Sequence, residues 1–260
     1  MFGGSWRLGR LFGIEVRIDS SWLVIAVLVI YTLYNAYDFQ FPRTATPALV
    51  VLAVVFGLLF FGSVLAHEMA HAVMARRRGI EVKGITLFLF GGATHAKVDS
   101  RGPQDELIVS IVGPLTSALL GGVFILVEQA LGGTTTPVAW GFLYLGAVNF
   151  LLAVFNMLPG FPLDGGRILR ALVWRTTGNF ARATRVASIA GQVVGLLIVT
   201  AGVVLLTFGD VGRAIWFAAI GWFLAQAARS SGREVLRRRQ NTGSEESEVS
   251  EPKPSQHDSV

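Results

Sequence analysis

The chain has 260 residues, of which 52% are hydrophobic and only 15% are charged, and its mean hydropathy is +0.57. This excess of apolar residues over ordinary globular usage indicates a polytopic membrane protein and argues against a soluble globular domain. The formal net charge is +5 and there is no cysteine, so a disulfide framework is excluded and any metal site must use His, Asp or Glu.

Six apolar segments are predicted to cross the membrane as helices, which makes the expected fold class an α-helical polytopic membrane protein. They cover residues 20–37, 47–75, 104–131, 137–158, 181–208 and 213–228. Ahead of the first segment, Ile14, Val16 and Ile18 alternate with polar residues, which predicts a short strand at the membrane surface. No small-residue cleavage site follows the first apolar run, so we interpret it as an anchor and not as a signal peptide.

The second apolar segment contains His67-Glu68-Met69-Ala70-His71. Two histidines four residues apart project from the same face of a helix, so their imidazoles can bind one ion. Glu68 is suited to act beside that ion as a general base. The alternative is a pair of core histidines with a glutamate that reaches the interface. Since ionisable groups are costly inside a membrane span, we favour a metal site.

Residues 80–99 change from helical to alternating periodicity and predict a β-hairpin, with Gly91 and Gly92 at the turn. Apolar residues near this turn indicate that the hairpin lies at the surface or re-enters the bilayer edge, where its backbone needs protein cover. His95 lies on the returning strand, and we interpret it as an exposed strand residue and not as a ligand.

A second unusual stretch spans residues 156–166, in which two prolines and three glycines interrupt the helical pattern. It contains one amide, Asn156, and one carboxylate, Asp164. An unwound segment is tolerated at membrane depth where it is buried in protein or lines a wet cavity. A simple helix-ending loop with a solvent-facing aspartate is the alternative.

The remaining segments complete a predicted domain over residues 1–230. Residues 168–174 predict a short interfacial helix with arginines around it. Residues 231–260 predict a cytoplasmic tail that is first basic and then, from residue 241, disordered.

Basic residues predict the orientation of the chain. With six spans, all of the 22 Lys and Arg residues except Arg43 and Arg213 fall on one side of the membrane. The positive-inside rule then places both termini, the hairpin and the histidine motif on the cytoplasmic side of the cell (inner) membrane. Because the basic residues lie between apolar runs, we interpret them as topology signals and not as a nucleic-acid surface.

The two unusual stretches together predict a zinc site. A catalytic zinc usually takes three protein ligands and keeps a fourth position open. His67 and His71 supply two ligands, and Asp164 is the best third because the topology returns it to the same side. One Zn²⁺ per chain is therefore expected, with Glu68 as the catalytic proton acceptor and donor. Asn156 is expected to donate a hydrogen bond to the substrate carbonyl.

Four segments of the chain resemble the site-2 protease family, the intramembrane zinc metalloproteases. They are His67-Glu68-Met69-Ala70-His71, Leu89-Phe90-Gly91-Gly92-Ala93, Gly113-Pro114-Leu115 and residues 156–166, and the resemblance runs over about residues 12–230. It corresponds to the six-span form of the family. No loop is long enough for an inserted PDZ domain, and the tail is too short for the CBS domains of some relatives.

The resemblance implies that His67, His71 and Asp164 bind zinc and that Glu68 is catalytic. It also implies that Asn156, eight residues before the aspartate, contacts the substrate. The family's hairpin is thought to guide substrate, which here makes Gly91 and Gly92 candidate substrate-binding residues. An extended peptide that pairs with a strand edge would be the physical means.

The expected function is zinc-dependent endoproteolysis of membrane-embedded helices near the cytoplasmic face. The expected partner is a single-span membrane protein, which the resemblance suggests is a membrane-bound regulator, within the lipid bilayer. One alternative is a metal or proton transporter that uses the same His/Glu/Asp cluster, although no internal repeat is evident. A proteolytically silent binding protein is the other alternative. The sequence predicts no particular oligomeric state.

Overall fold

The computed structural model of the protein describes residues 4–88, 91–96 and 102–250. Within these residues it has seven helices and four strands. In chain order they are β1 (Ser5–Leu11), β2 (Ile14–Asp19), α1 (Trp22–Gln40), α2 (Thr46–Arg77), β3 (Val82–Phe88), β4 (Gly91–Ala96), α3 (Pro103–Ala130), α4 (Pro137–Asn156), α5 (Asp164–Thr177), α6 (Phe180–Thr207) and α7 (Val211–Ser250).

Six of the helices are long and apolar enough to cross a membrane, which confirms the predicted spans. They are α1, α2, α3, α4, α6 and the Val211–Val235 part of α7. Their outer faces expose many large apolar side chains, as expected where hydrocarbon and not water is the solvent. Three of these helices, α2, α3 and α4, begin with proline in the first turn, where its missing N–H removes no helical hydrogen bond.

The strands form one four-stranded sheet in the order β1-β2-β3-β4. The β1/β2 and β3/β4 pairs are antiparallel, and β2 pairs with β3 in parallel. The predicted strand and hairpin are thus present, but they belong to a larger sheet than the sequence predicts. The prediction that Gly91 and Gly92 form the turn is wrong, because both pair with β3 as the first residues of β4. The parts of the predicted hairpin at residues 89–90 and 97–99 lie outside the described residues.

Strand β1 was not predicted because every one of its residues is exposed, so its apolar side chains do not alternate with polar ones in the usual way. The sheet itself rests on α2. Ile14 and Ile85 pack with Met69 and Ala72 of that helix. Met69 lies between the two histidines of the motif, and Ala72 directly follows the second. The sheet therefore packs next to the histidine motif.

Helix α5 begins at Asp164, four residues earlier than the predicted interfacial helix. Gly165 and Gly166 are poor helix formers, which is why the sequence places them in a loop. In the structure both are buried in the first turn of α5, where a side chain would meet the backbone of the preceding segment. Close packing therefore overrides helix propensity here.

The last helix also differs from the expectation. Helix α7 continues to Ser250 and so includes residues 241–250, for which the sequence predicts disorder. Extending an existing helix adds one hydrogen bond per residue without a new nucleation cost, which favours continuation past the membrane-spanning part. The disorder predicted for residues 251–260 lies outside the described residues.

Candidate metal centre

Two histidine side chains from α2 point into the interior of the helical bundle. His67 and His71 are each only 4% exposed. They are one turn apart, and their rings meet edge to face with centroids 4.9 Å apart. The helical spacing that the motif predicts therefore places both Nε2 atoms on one buried site.

Asp164 reaches the same site from the first turn of α5. The connection from α4 to α5, residues 157–163, lies against α6, where the N–H of Phe161 donates to the carbonyl of Ala187 at 3.2 Å. A side chain at Gly160 would overlap the backbone of Gly191, so this approach requires glycine on both sides. The connection is held inside the protein and returns Asp164 towards α2, where the aspartate is 8% exposed.

The three candidate ligand atoms form a nearly equilateral triangle. Asp164 Oδ2 lies 3.2 Å from His67 Nε2 and 3.1 Å from His71 Nε2, and the two Nε2 atoms are 3.2 Å apart. A tetrahedral zinc with bonds of about 2.0–2.1 Å keeps its ligand atoms about 3.3 Å apart. The triangle therefore has the size that a tetrahedral zinc site requires.

Hydrogen bonds on the far side of each imidazole determine which nitrogen faces the triangle. His71 Nδ1 lies 2.6 Å from the carbonyl oxygen of Val109, and since a carbonyl only accepts, Nδ1 is the donor. His67 Nδ1 lies 2.8 Å from Ser117 Oγ, a hydroxyl that can accept the same kind of hydrogen bond. Both imidazoles can thus present an unprotonated Nε2 to an ion.

This arrangement gathers three atoms that can each bind a cation. With its Nδ1 protonated, a neutral His71 has a lone pair on Nε2, directed at a carboxylate oxygen and at a second imidazole. A metal cation bound by the three atoms together would satisfy all of them. These residues are the one group of three or more potential ligands found among the described residues.

Helix α3 passes directly over the two imidazoles at Gly113. A Cβ atom there would overlap His71 Nε2 and would lie 2.7 Å from His67 Nε2. Glycine is therefore the residue that leaves room for the ligands. The sequence indicated Gly113 as part of a resembling motif but not as a neighbour of the ligands, and it contained no signal for Ser117 or for the carbonyl of Val109.

The other predicted site residues lie outside the triangle. Glu68 is half-buried on α2, beside His67 in the chain. Asn156 is the last residue of α4, and its Nδ2 donates to the carbonyl of Leu152 at 3.1 Å. Gly91 and Gly92 begin β4, an edge strand of the described sheet, where they are opposite Phe88 and Leu87.

Comparison with known proteins gives consistent matches along most of the chain. The sequence profile of Peptidase family M50 matches residues 55–136 and 134–201. "Putative zinc metalloprotease Rip3" of Mycobacterium tuberculosis is 39% identical over 229 residues, which cover 85% of this chain and 57% of the relative. A protein with the same descriptive name, sll0528 of Synechocystis, is 40% identical over 232 residues, which cover 88% of this chain and 60% of the relative.

The chain thus spans about three fifths of the length of these two relatives. Among solved structures, the "Site-2 Protease from Methanocaldococcus jannaschii" is similar with a TM-score of 0.58 and 25% sequence identity. That match covers 88% of this chain and 95% of the other. The similarity therefore extends over almost the whole of the solved chain.

Proposed function

The chain belongs to peptidase family M50, and on that premise we propose that it is a zinc-dependent intramembrane endopeptidase that cleaves membrane-embedded helical substrates. The observation that supports this most directly is the buried triangle of two Nε2 atoms and one carboxylate oxygen in a multi-pass membrane protein. Such a cluster is costly among apolar helices unless it performs a function.

His67, His71 and Asp164 would hold one Zn²⁺, which leaves a fourth coordination position for reactants. When bound, the zinc would supply Lewis-acid chemistry, because it makes a water molecule more acidic and polarises a peptide carbonyl. The acceptors Ser117 and the Val109 carbonyl would keep the imidazoles in the tautomer that binds metal.

Glu68 would transfer the proton in the hydrolysis. It accepts a proton from the water whose oxygen attacks the carbonyl carbon of the peptide bond. It then donates that proton to the amide nitrogen as the C–N bond breaks, which yields a carboxylic acid and an amine. Its place next to His67 on α2, within one helical turn of a candidate ligand, supports this role.

The proposed substrate is a single-span membrane protein, of the class of membrane-bound regulators. A transmembrane helix hides its carbonyls in hydrogen bonds, so it must unwind locally before cleavage. Strand β4 is at the edge of the described sheet, and an unwound segment could pair with it at Gly91 and Gly92. Asn156 would exchange its bond to the Leu152 carbonyl for one to the substrate carbonyl.

The asymmetry of basic residues supports a location in the cytoplasmic membrane with both termini in the cytoplasm. Arg76 and Arg77 end α2 between one and two turns after His71, which supports a site close to that face. Cleavage would therefore release the cytosolic part of a substrate.

The test is cleavage of a panel of tagged single-span proteins by the purified chain in lipid nanodiscs, for the wild type and for Glu68→Gln. Glu81→Gln, at an exposed position just after α2, is the matched control. We expect cleavage by the wild type and the control, none by Glu68→Gln, and equal zinc content in all three. Cleavage that survives in Glu68→Gln would refute the assignment of Glu68. Zinc flux into proteoliposomes that contain the chain, without cleavage, would instead support a transporter.

A further inference from the structure

A single buried face of α3 contacts both imidazoles. Glu106, Ser110, Gly113 and Ser117 follow one another at spacings of four, three and four residues, so they lie along one stripe of the helix, and all are buried. Ser117 and Gly113 contact the histidines, as does the carbonyl of Val109 in the same region. The stripe that positions the imidazoles therefore begins at Glu106.

Glu106 forms an ion pair with Arg170 of α5 inside the protein. The two residues are 0% and 2% exposed. Arg170 Nε donates to Glu106 Oε1 at 2.6 Å, and Nη2 contacts the same oxygen. Since α5 packs against α3, this pair joins the two helices at one defined register.

Arg170 follows Asp164 by six residues on α5, and both side chains are buried. Their Cα atoms are therefore about 9 Å apart along the helix axis. A shift of α5 relative to α3 would move Asp164 relative to the imidazoles by a similar amount. The Glu106–Arg170 ion pair therefore links α5, which carries Asp164, to α3, which orients the imidazoles of the two histidines.

The guanidinium also contacts the aromatic rings on either side of α5. It lies 5.1 Å from the ring centroid of Phe161, in the segment that precedes Asp164, and 4.9 Å from that of Phe180, at the start of α6. Arg170 therefore contacts the α4–α5 connection, which leads into Asp164, as well as the start of α6.

We propose that Glu106 and Arg170 are positioning residues for the metal site, which set the register of α5 on α3 and so the placement of Asp164 between the two imidazoles. This inference rests on the proposed function, because it assumes that His67, His71 and Asp164 bind a metal. The pair acts through Asp164 and contacts neither the metal nor the substrate.

A role in register explains why a buried ion pair is present at all. Desolvation of two charges offsets most of their attraction, and apolar residues of similar volume often give equal or greater stability. The guanidinium fork and the carboxylate have a directional geometry that apolar side chains lack. The pair is thus suited to select one register of α5 on α3. Replacing both residues by apolar ones tests whether the pair sets this register or only stabilises the fold.

The experiment measures the Kd for Zn²⁺ by chelator competition, on folded, monodisperse chain in lipid nanodiscs, together with the Tm of the zinc-free protein. The variants are Glu106→Gln, Arg170→Lys and the apolar double variant Glu106→Leu/Arg170→Met. We expect each variant to raise the Kd about tenfold, as for other residues that orient metal ligands. We expect the double variant to keep its Tm close to that of the wild type, because it removes both charges of the pair together.

The matched control is Asp105→Asn, which removes the neighbouring ion pair to Arg78 in the same turn of α3. That pair has an oxygen–nitrogen distance of 3.3 Å, and its side chains are 23% and 36% exposed. Because Asp105 is not on the buried stripe, we expect the control to leave the Kd for zinc unchanged.

A folded double variant with the zinc Kd of the wild type would overturn the proposal, and so would an equal loss of affinity in Asp105→Asn. If either single variant fails to fold, the double variant decides the question. Wild-type chain that binds no zinc would refute the metal site itself, and this inference with it. Failure of the proposed metal site is therefore distinguishable from failure of the positioning role alone.

Discussion

Ser117 Oγ lies 2.8 Å from Nδ1 of His67, although the two residues are 50 positions apart in the chain. Ser117 is completely buried on α3. It therefore holds the imidazole of a candidate ligand from a different helix, on the side opposite to Asp164. Helix α3 supplies no ligand atom, but its side chain orients the imidazole of His67.

Ser117→Ala tests this relationship. It leaves the Nδ1 of His67 without its hydrogen-bond partner in a buried position, so the imidazole can rotate or change tautomer. We expect the Kd for zinc to rise about tenfold while the helical content stays the same. Thr116→Val is the matched control, because Thr116 Oγ1 bonds to the Val112 carbonyl of its own helix, at 2.7 Å. Equal affinity in Ser117→Ala and the wild type would contradict the role of Ser117.

Gly113→Ala tests the close approach of α3 to the imidazoles. The added methyl group would occupy space beside both Nε2 atoms, and the histidines could then no longer converge on one ion. We expect zinc binding to be abolished in an otherwise folded protein, measured as metal content after purification. Gly122→Ala on the same helix is the control, since a methyl group there would point into open space. Full zinc content in Gly113→Ala would show that the site is not built as described.

Gly191→Ala tests the packing of the α4–α5 connection against α6. A Cβ at Gly191 would overlap the carbonyl oxygen of Phe161 and lie 2.9 Å from Ala228 Cβ. Overpacking of this kind destabilises by about 1–3 kcal/mol, so we expect a lower Tm. Because the connection leads directly into Asp164, we also expect weaker zinc binding. Gly62→Ala, on an open face of α2, is the control. An unchanged Tm would mean that the connection moves freely on α6.

Much of the fold was predictable because membrane spans are long and apolar. The helices around residues 47–75 and 104–131 agree with α2 and α3 to within two residues at each end. His67 and His71 were predictable from helical spacing alone. Asp164 required a topological argument, that the chain returns to the same side of the membrane, and the structure does bring it to the two histidines.

Other features depend on packing that local sequence does not encode. Strand β1 is exposed on both faces and lacks the alternation that identifies a half-buried strand. The start of α5 was missed because Gly165 and Gly166 disfavour helices in isolation. Ser117 and the Val109 carbonyl depend on how α3 is rotated against α2, and a backbone carbonyl has no residue signature.

The central claim is that His67, His71 and Asp164 bind one zinc ion together. The most direct measurement is a zinc titration of purified chain in nanodiscs, for the wild type, for Asp164→Ala and for Asp38→Ala, which alters an exposed residue of α1. We predict one zinc per chain for the wild type and the control, and loss of tight binding in folded Asp164→Ala, since two imidazoles alone leave the site a ligand short. Full, tight binding of zinc by Asp164→Ala would contradict the account.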